Sequence, residues 1–189
     1  MSELTVERFP RLRLAYKDTG SEDRDAHGVL WVRLSGSPGD GRPRYECMHP
    51  RRQRECMTEL KCQVCGGAPS VTEDGYLFID WHEPYQPRSW PERAVTTLPP
   101  LCGPCALISV RQCPHIGRSS FTVLRARRPV PWGLGGAVYQ PIGQGSLGGP
   151  PPRGRLPYGH PALRWIVASQ LVMELREVTV LNPEALGVS

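Results

Sequence analysis

Four cysteines stand in two pairs of the form Cys-x-x-Cys. Cys62 and Cys65 lie in CQVCGG, Cys102 and Cys105 lie in CGPC, and residues 66–101 separate the pairs. Two intervening residues let both sulfurs of a tight turn face one ion. Gly66 and Gly67, after the first pair, admit the positive φ and close backbone approach that such a knuckle needs. Two knuckles offer four thiolates, the closed tetrahedral set of a structural zinc site. No position is left for water, so the ion would brace the chain and carry no catalysis. A redox reading is less economical: one Cys-x-x-Cys in a thioredoxin-like βαβ setting suffices for thiol–disulfide exchange, and here there are two.

Cys47, Cys56 and Cys113 remain. Cys47-Met-His49 and Cys113-Pro-His115 each place a histidine two residues after a cysteine. Cys47, His49, Cys56, Cys113 and His115 are therefore the candidates for a second metal, whose mixed Cys/His ligation would leave more room for chemistry. The plainer reading is a set of ordinary thiols and histidines, since no further Cys-x-x-Cys anchors them.

Three functional classes follow. In the first, a binding module, Arg51, Arg52, Arg54, Lys61 and Arg111 beside the knuckles face the phosphates of a nucleic acid, and Trp81, Tyr85 and Trp90 stack on bases. Solvated arginines and packed tryptophans are the alternative, and no recognition helix with clustered base-reading side chains is visible. In the second, a metal-dependent enzyme, the zinc-deaminase pattern His-x-Glu with Pro-Cys-x-x-Cys is missed by one position in each half: His82-Glu83 are adjacent, and Leu101 precedes Cys102. A nuclease of the HNH type shares the paired knuckles, with Asp80, His82 and His115 available, but its paired catalytic side chains at a strand end are lacking. No phosphate loop, GxSxG or Ser/His/Asp order occurs. In the third, a protein–protein adaptor, an apolar helix face near the C-terminus docks on a partner.

The composition narrows these classes. The 189 residues carry a net charge of +5, with 39% hydrophobic residues and 22% charged residues. That is enough for a modest core, and it is not the composition of a disordered chain. Lys17 and Lys61 are the only lysines. Abundant Arg, Pro, Gly and Ala with scarce Lys is what G+C-rich coding produces, so basicity alone is weak support for a nucleic-acid partner. The arginines form three short clusters, at 8–13, 51–54 and 125–128, and no single tail. No apolar run approaches the roughly 18 residues of a membrane helix, so no membrane partner is expected. The opening MSELTVERFPRLRL contains Glu3 and Glu7 and lacks the apolar stretch of a secretory signal. A cytoplasmic location with reduced thiols is the expectation, and the odd count of seven cysteines fits ligands better than disulfides.

The elements that must position these groups can be sketched. Arg11–Tyr16 and Val29–Leu34 alternate as strands and are expected to pair antiparallel. Residues 35–44 and 82–100 read as turn-rich or loop segments, with 21 prolines and 20 glycines in the whole chain. Asp74-Gly75 between strand formers signals a hairpin. CALISVRQ after Cys102 predicts a short helix stopped near Pro114. Phe121–Arg127 and Gly136–Tyr139 read as two strands, and Pro141–Gly159 as a Gly/Pro loop. From His160 on, Leu163, Ile166, Val167, Leu171 and Leu175 recur at helical spacing, which predicts an amphipathic helix followed by a closing strand at Val178–Leu181.

The segments RECMTELKCQVCGGAP, TTLPPLCGPCALISVRQCPHI and HPALRWIVASQLVMELREV resemble small zinc-ribbon or zinc-knuckle proteins of actinobacteria and their phages. The resemblance covers residues 45–180. It implies a shared fold and bound zinc, and it supplies no catalytic residue. The expected architecture is α+β: a small antiparallel sheet, a four-cysteine zinc-ribbon or treble-clef-like site, and a C-terminal amphipathic helix. Its parts are strands and a turn-rich connector at 1–44, a zinc-binding core at 45–140, a Gly/Pro-rich loop at 141–159, and a helix and tail at 160–189 packing on the core. The function these readings favour is a zinc-stabilised accessory or regulatory protein, with nucleic acid as the candidate partner.

Overall fold

A computed structural model describes residues 3–8, 11–34, 48–81, 89–113, 121–142, 146–148 and 152–182. In chain order the elements are β1 (Leu4–Glu7), β2 (Arg13–Tyr16), β3 (Leu30–Trp31), α1 (Pro50–Thr58), β4 (Val71–Thr72), β5 (Gly75–Trp81), β6 (Val95–Thr96), α2 (Gly103–Gln112), β7 (Phe121–Val138), β8 (Pro141–Ile142), β9 (Ser146–Leu147), β10 (Arg153–Pro157) and β11 (Ile166–Leu181). Short 3-10 turns occupy Ser21–Asp23 and Pro161–Trp165. The chain divides into two compact units, residues 1–43 with 133–171 and residues 44–132 with 172–189. The class is α+β with mostly antiparallel pairing, as expected.

In the first unit β1 and β2 form an antiparallel hairpin, Leu4 opposite Tyr16 and Glu7 opposite Arg13. β10 lies antiparallel on the second half of β7, with Arg153 opposite Ala137. β3 adds in parallel to β11, Val167 opposite Leu30. Leu14, Tyr16, Leu30, Trp165 and Val167 make the core of this unit, with Leu4, Val6 and Val32 packed against it. A buried carboxylate is woven into its margin. Asp23 accepts from Arg33 Nε at 2.6 Å and Nη2 at 2.5 Å, and from the Gly20 amide at 2.7 Å. The same guanidinium lies 4.4 Å from the centre of the Tyr16 ring.

In the second unit β5 runs antiparallel to the first half of β7, Tyr76 opposite Ala126 through Trp81 opposite Phe121. The period of two decides what each face buries. Leu77, Ile79 and Val123 turn towards Ala106 and Val110 of α2, and Phe78, Leu124 and Ala126 join Leu175 in a separate cluster. β4 closes a hairpin onto β5, Thr72 opposite Gly75, so the Asp74-Gly75 signal is met. Gly75 has φ +100°, and a Cβ there would stand 2.2 Å from the Ala126 carbonyl oxygen, so only glycine fits.

Four expectations are corrected. The C-terminal amphipathic helix is absent: after the turn at Pro161–Trp165, Ile166–Leu181 is a 16-residue strand. Ile166, Val167 and Ala168 are buried consecutively, as are Leu171 to Leu175. That run fills both faces of an internal strand, and apolar spacing alone cannot distinguish it from a buried helix. The β-branched Ile166, Val167, Val172, Val178, Thr179 and Val180 tip the balance towards strand. Second, β2 pairs with β1, and β3 pairs parallel with β11, so the two early strands are not partners. Third, Phe121–Val138 is one strand of 18 residues, where two were expected. On the edge that pairs with β5 and then with β10, Pro129 and Pro131 fall in the gap between the two partners, so their missing N–H groups cost that edge no ladder bond. Fourth, within the expected loop at 141–159, Arg153–Pro157 is a paired strand.

Candidate metal centre

The centre lies wholly in the second unit. α1 leads into it. His49 caps this helix, its Nδ1 accepting from the Arg51 amide at 3.3 Å, and Pro50 takes the first turn, where its missing N–H costs nothing. Leu60 then adopts φ +50°, and the Lys61 amide donates to the Cys56 carbonyl at 2.8 Å, turning the chain into the first knuckle. There the Gly66 amide donates to the Cys62 carbonyl and the Cys62 amide to the Gly67 carbonyl, both at 2.8 Å. Gly66 has φ +75°, and the Gly67 amide points at Cys65 Sγ from 3.4 Å. The glycines do what their position after Cys65 predicts.

The second pair is mounted differently. Cys102 is the N-cap of α2, with Gly103 and Pro104 in its first turn and Cys105 one turn in. The helix as predicted from CALISVRQ is present. Its free amides and positive dipole end favour anionic sulfur. The two mounts are tied together through the backbone: Gln63 donates to the Pro100 carbonyl and Ser70 to the Leu101 carbonyl, both at 2.9 Å. Leu101 in turn donates to Leu77 of β5 at 2.9 Å.

These ties bring four sulfurs together, all within 4.8 Å of one another. Cys62 and Cys102 are 3.7 Å apart, and Cys65 and Cys102 3.9 Å. A tetrahedron with Zn–S of about 2.3 Å has an S–S edge of about 3.8 Å, so the spacing matches an ion held by all four sulfurs. It is far too long for a disulfide, whose sulfurs sit about 2.05 Å apart, and all four are free cysteines. Cys62 and Cys105 are buried, Cys102 is half-buried and Cys65 is exposed. Burial works against ionisation at Cys62, but amides of Cys65, Cys102 and Val64 and the Cys65 side chain outweigh it and bring the thiol down to about 7. At Cys105 burial and the crowding of three neighbouring sulfurs push the thiol up. Four thiols this close, each opposing the ionisation of its neighbours, could hold a metal ion among them.

A guanidinium sits over the first knuckle. Arg52, one turn into α1, donates through Nη2 to the Val64 carbonyl at 2.8 Å and through Nε to the Gln63 carbonyl at 3.4 Å. Sequence reading placed Arg52 among phosphate contacts and missed this role. The signal was the Pro50 helix start, which puts Arg52 on a turn facing the knuckle. Lys61 is likewise engaged, with Glu55 at 2.9 Å and Glu59 at 2.8 Å. Arg51 and Arg111 are exposed, and Arg54 has a partner of its own.

Of the candidate second set, Cys56 is buried in α1 with its Sγ 3.7 Å from the Cys62 carbonyl oxygen. Cys113 packs beside the α2 core. His49 is spent on the helix cap through Nδ1. Cys47 and His115 lie outside the described residues, as do His82, Glu83 and Tyr85. Among the described residues, the group of three or more possible ligands within reach of one ion is the four cysteines. No described helix is long and apolar enough to cross a membrane, which leaves strands untouched. No protein-family model matches the chain, and no curated protein or solved structure matches it either.

Proposed function

We propose that the chain is a zinc-stabilised accessory or regulatory protein of a reducing compartment, its single Zn2+ held by Cys62, Cys65, Cys102 and Cys105 and serving structure. The observation that carries this reading is the convergence of four sulfurs within 4.8 Å, which fills a tetrahedral ion's shell and leaves no place for substrate or water. A knuckle for one pair and a helix N-terminus for the other favour the treble-clef-like arrangement over the ribbon. The proposal extends to kinship with small zinc-knuckle proteins of actinobacteria and their phages.

A nucleic-acid partner gains little from the residues first singled out for it. Arg52 and Lys61 direct their donors at the protein itself, which leaves Arg51 and Arg111 as exposed cations of that set. The adaptor reading rested on an apolar helix that is in fact a strand.

Elemental analysis of the purified protein tests the proposal: one zinc per chain is expected. Cys102→Ser is expected to lose that zinc and to lower the melting temperature, because the metal's binding free energy is part of the folding free energy. Two metals per chain, or iron in place of zinc, would overturn the structural assignment.

A further inference from the structure

Away from the metal centre, the first unit holds a cavity of about 300 Å³ lined by Arg11, Leu12, Arg13, His160, Pro161 and Arg164. Three guanidiniums and an imidazole share one concavity, and none of the described residues that line it is acidic. The local structure explains why. Arg11 and Arg13 bracket the entry to β2, and Arg13 is opposite Glu7 in the hairpin and paired with it. The 3-10 turn at Pro161–Trp165 sets Pro161 and Arg164 on one side, three residues apart. The Arg164 guanidinium is 5.7 Å from the ring of buried Trp165, which limits its wandering. His160 accepts the Ala162 amide at Nδ1, 3.1 Å away, so the neutral ring carries its hydrogen on Nε2 as a donor.

The charge balance identifies the ligand class. Glu7 answers Arg13 and also Arg24 at 2.9 Å. Among the described residues, Arg11 and Arg164 have no carboxylate partner. Two unanswered positive charges match a phosphate monoester, which carries about −1.5 to −2 at neutral pH, better than a single carboxylate. The forked donors of arginine suit its oxygens. Leu12, which is 45% exposed, and Pro161 offer an apolar wall to the ester's organic part. The volume is at the small end of ligand sites, about 300–1,000 Å³.

We propose that this cleft binds a small organic phosphate monoester, with Arg11 and Arg164 as its charged contacts, His160 as a further donor, and Leu12 and Pro161 as its apolar wall. The site is independent of the zinc proposal, since its residues and the four cysteines belong to different units and share no side chain.

Calorimetric titration of the intact, metal-loaded protein with phenyl phosphate tests it, with inorganic phosphate and benzoate as parallel ligands. Saturable binding of phenyl phosphate is expected, weaker binding of inorganic phosphate, and weaker still of benzoate. Arg11→Gln and Arg164→Gln should each weaken phenyl phosphate about tenfold, with unchanged melting temperature and zinc content, since both side chains are exposed. Arg164→Lys should fall between, because it keeps the charge and loses the fork. Arg51→Gln, on the other unit, should change nothing. Absent saturation, equal binding of benzoate, or an equal loss in Arg51→Gln and Arg164→Gln would overturn the site. So would an oligonucleotide that binds through Arg11 and Arg164 while phenyl phosphate does not.

Discussion

Arg52 illustrates how a surface cation can brace a cluster of cysteines from outside it. Four thiolates around Zn2+ carry a net charge of −2, and the knuckle's own carbonyls add to the negative field. The Arg52 guanidinium, bound to the Gln63 and Val64 carbonyls, both offsets that field and holds the loop that aims Cys62 and Cys65. Residues in this outer position typically change metal affinity about 10–100-fold. Arg52→Ala is therefore expected to weaken zinc about tenfold in a chelator competition, while the loaded protein keeps its secondary structure. Unchanged affinity would show the guanidinium to be mere decoration. In the first unit, Asp23 makes a comparable residue-scale commitment. The Arg33 guanidinium holds its carboxyl below the ordinary 3.8, against the opposing effect of burial. A carboxyl lowered in the folded state contributes stability at pH values above its unfolded pKa of about 4 and loses it as pH falls through the folded value. Asp23→Asn should cost about 2 kcal/mol at neutral pH and should flatten the acid limb of the stability curve below about pH 4. A limb as steep as the parent's would assign acid sensitivity to other carboxylates.

At the scale of elements, the hairpin of β4 and β5 links the two cysteine pairs. Arg125 of β7, itself buried, donates to the Ser70 carbonyl at 3.2 Å, the Gly75 carbonyl at 2.8 Å and Ser70 Oγ at 2.9 Å, clamping both arms of the hairpin. Gly75 is the pivot, in the left-handed region and against the β7 backbone. Gly75→Ala would need the strands to part, since a contact of 2.2 Å with a backbone oxygen cannot be relieved by a side-chain rotation. A loss of about 2–3 kcal/mol is expected from the steric and φ penalties together, measured by denaturant unfolding. A loss below half of that would mean the hairpin relaxes freely. The internal strand β11 belongs to this scale too. Its buried residues Val172, Met173, Glu174 and Leu175 run without a gap, and Glu174 sits there only because Arg176 at 2.6 Å and Arg93 at 3.5 Å answer it.

At the scale of the whole chain, all four clustered cysteines belong to one of its two units, and the other has a core of its own around Leu14, Leu30 and Trp165. Metal removal should therefore act unevenly. A strong chelator is expected to raise amide exchange first across residues 61–72 and 101–113, where the knuckle, its ties to Pro100 and Leu101, and α2 would depend on a bound ion. The hairpin of β1 and β2 should keep its protection at chelator concentrations that release the first set. Simultaneous loss everywhere would show that one cooperative unit spans the chain.

The four-cysteine cluster was written locally. Cys-x-x-Cys spacing, the two glycines after Cys65, and a helix former run after Cys102 depend on backbone geometry over a few residues, and each is found where the spacing placed it. The hairpin at Asp74-Gly75 is legible for the same reason. α1 left a local trace as well, the His49-Pro50 start, which was overlooked because the following residues are so polar. Tertiary structure alone decided the rest. Ile166–Leu181 has apolar residues at helical spacing and also an unbroken apolar run. Only neighbours on both faces make it a strand, and those neighbours come from distant parts of the chain. Pro129 and Pro131 look like breaks until the partners on either side are known. The same holds for charge: an arginine's sequence position says that it is cationic, but not whether its donors are turned on a carboxylate, as in Arg33, on a backbone loop, as in Arg52, or without a carboxylate among the described residues, as in Arg11 and Arg164. Those outcomes depend on contacts between residues far apart in the chain, which no local pattern encodes.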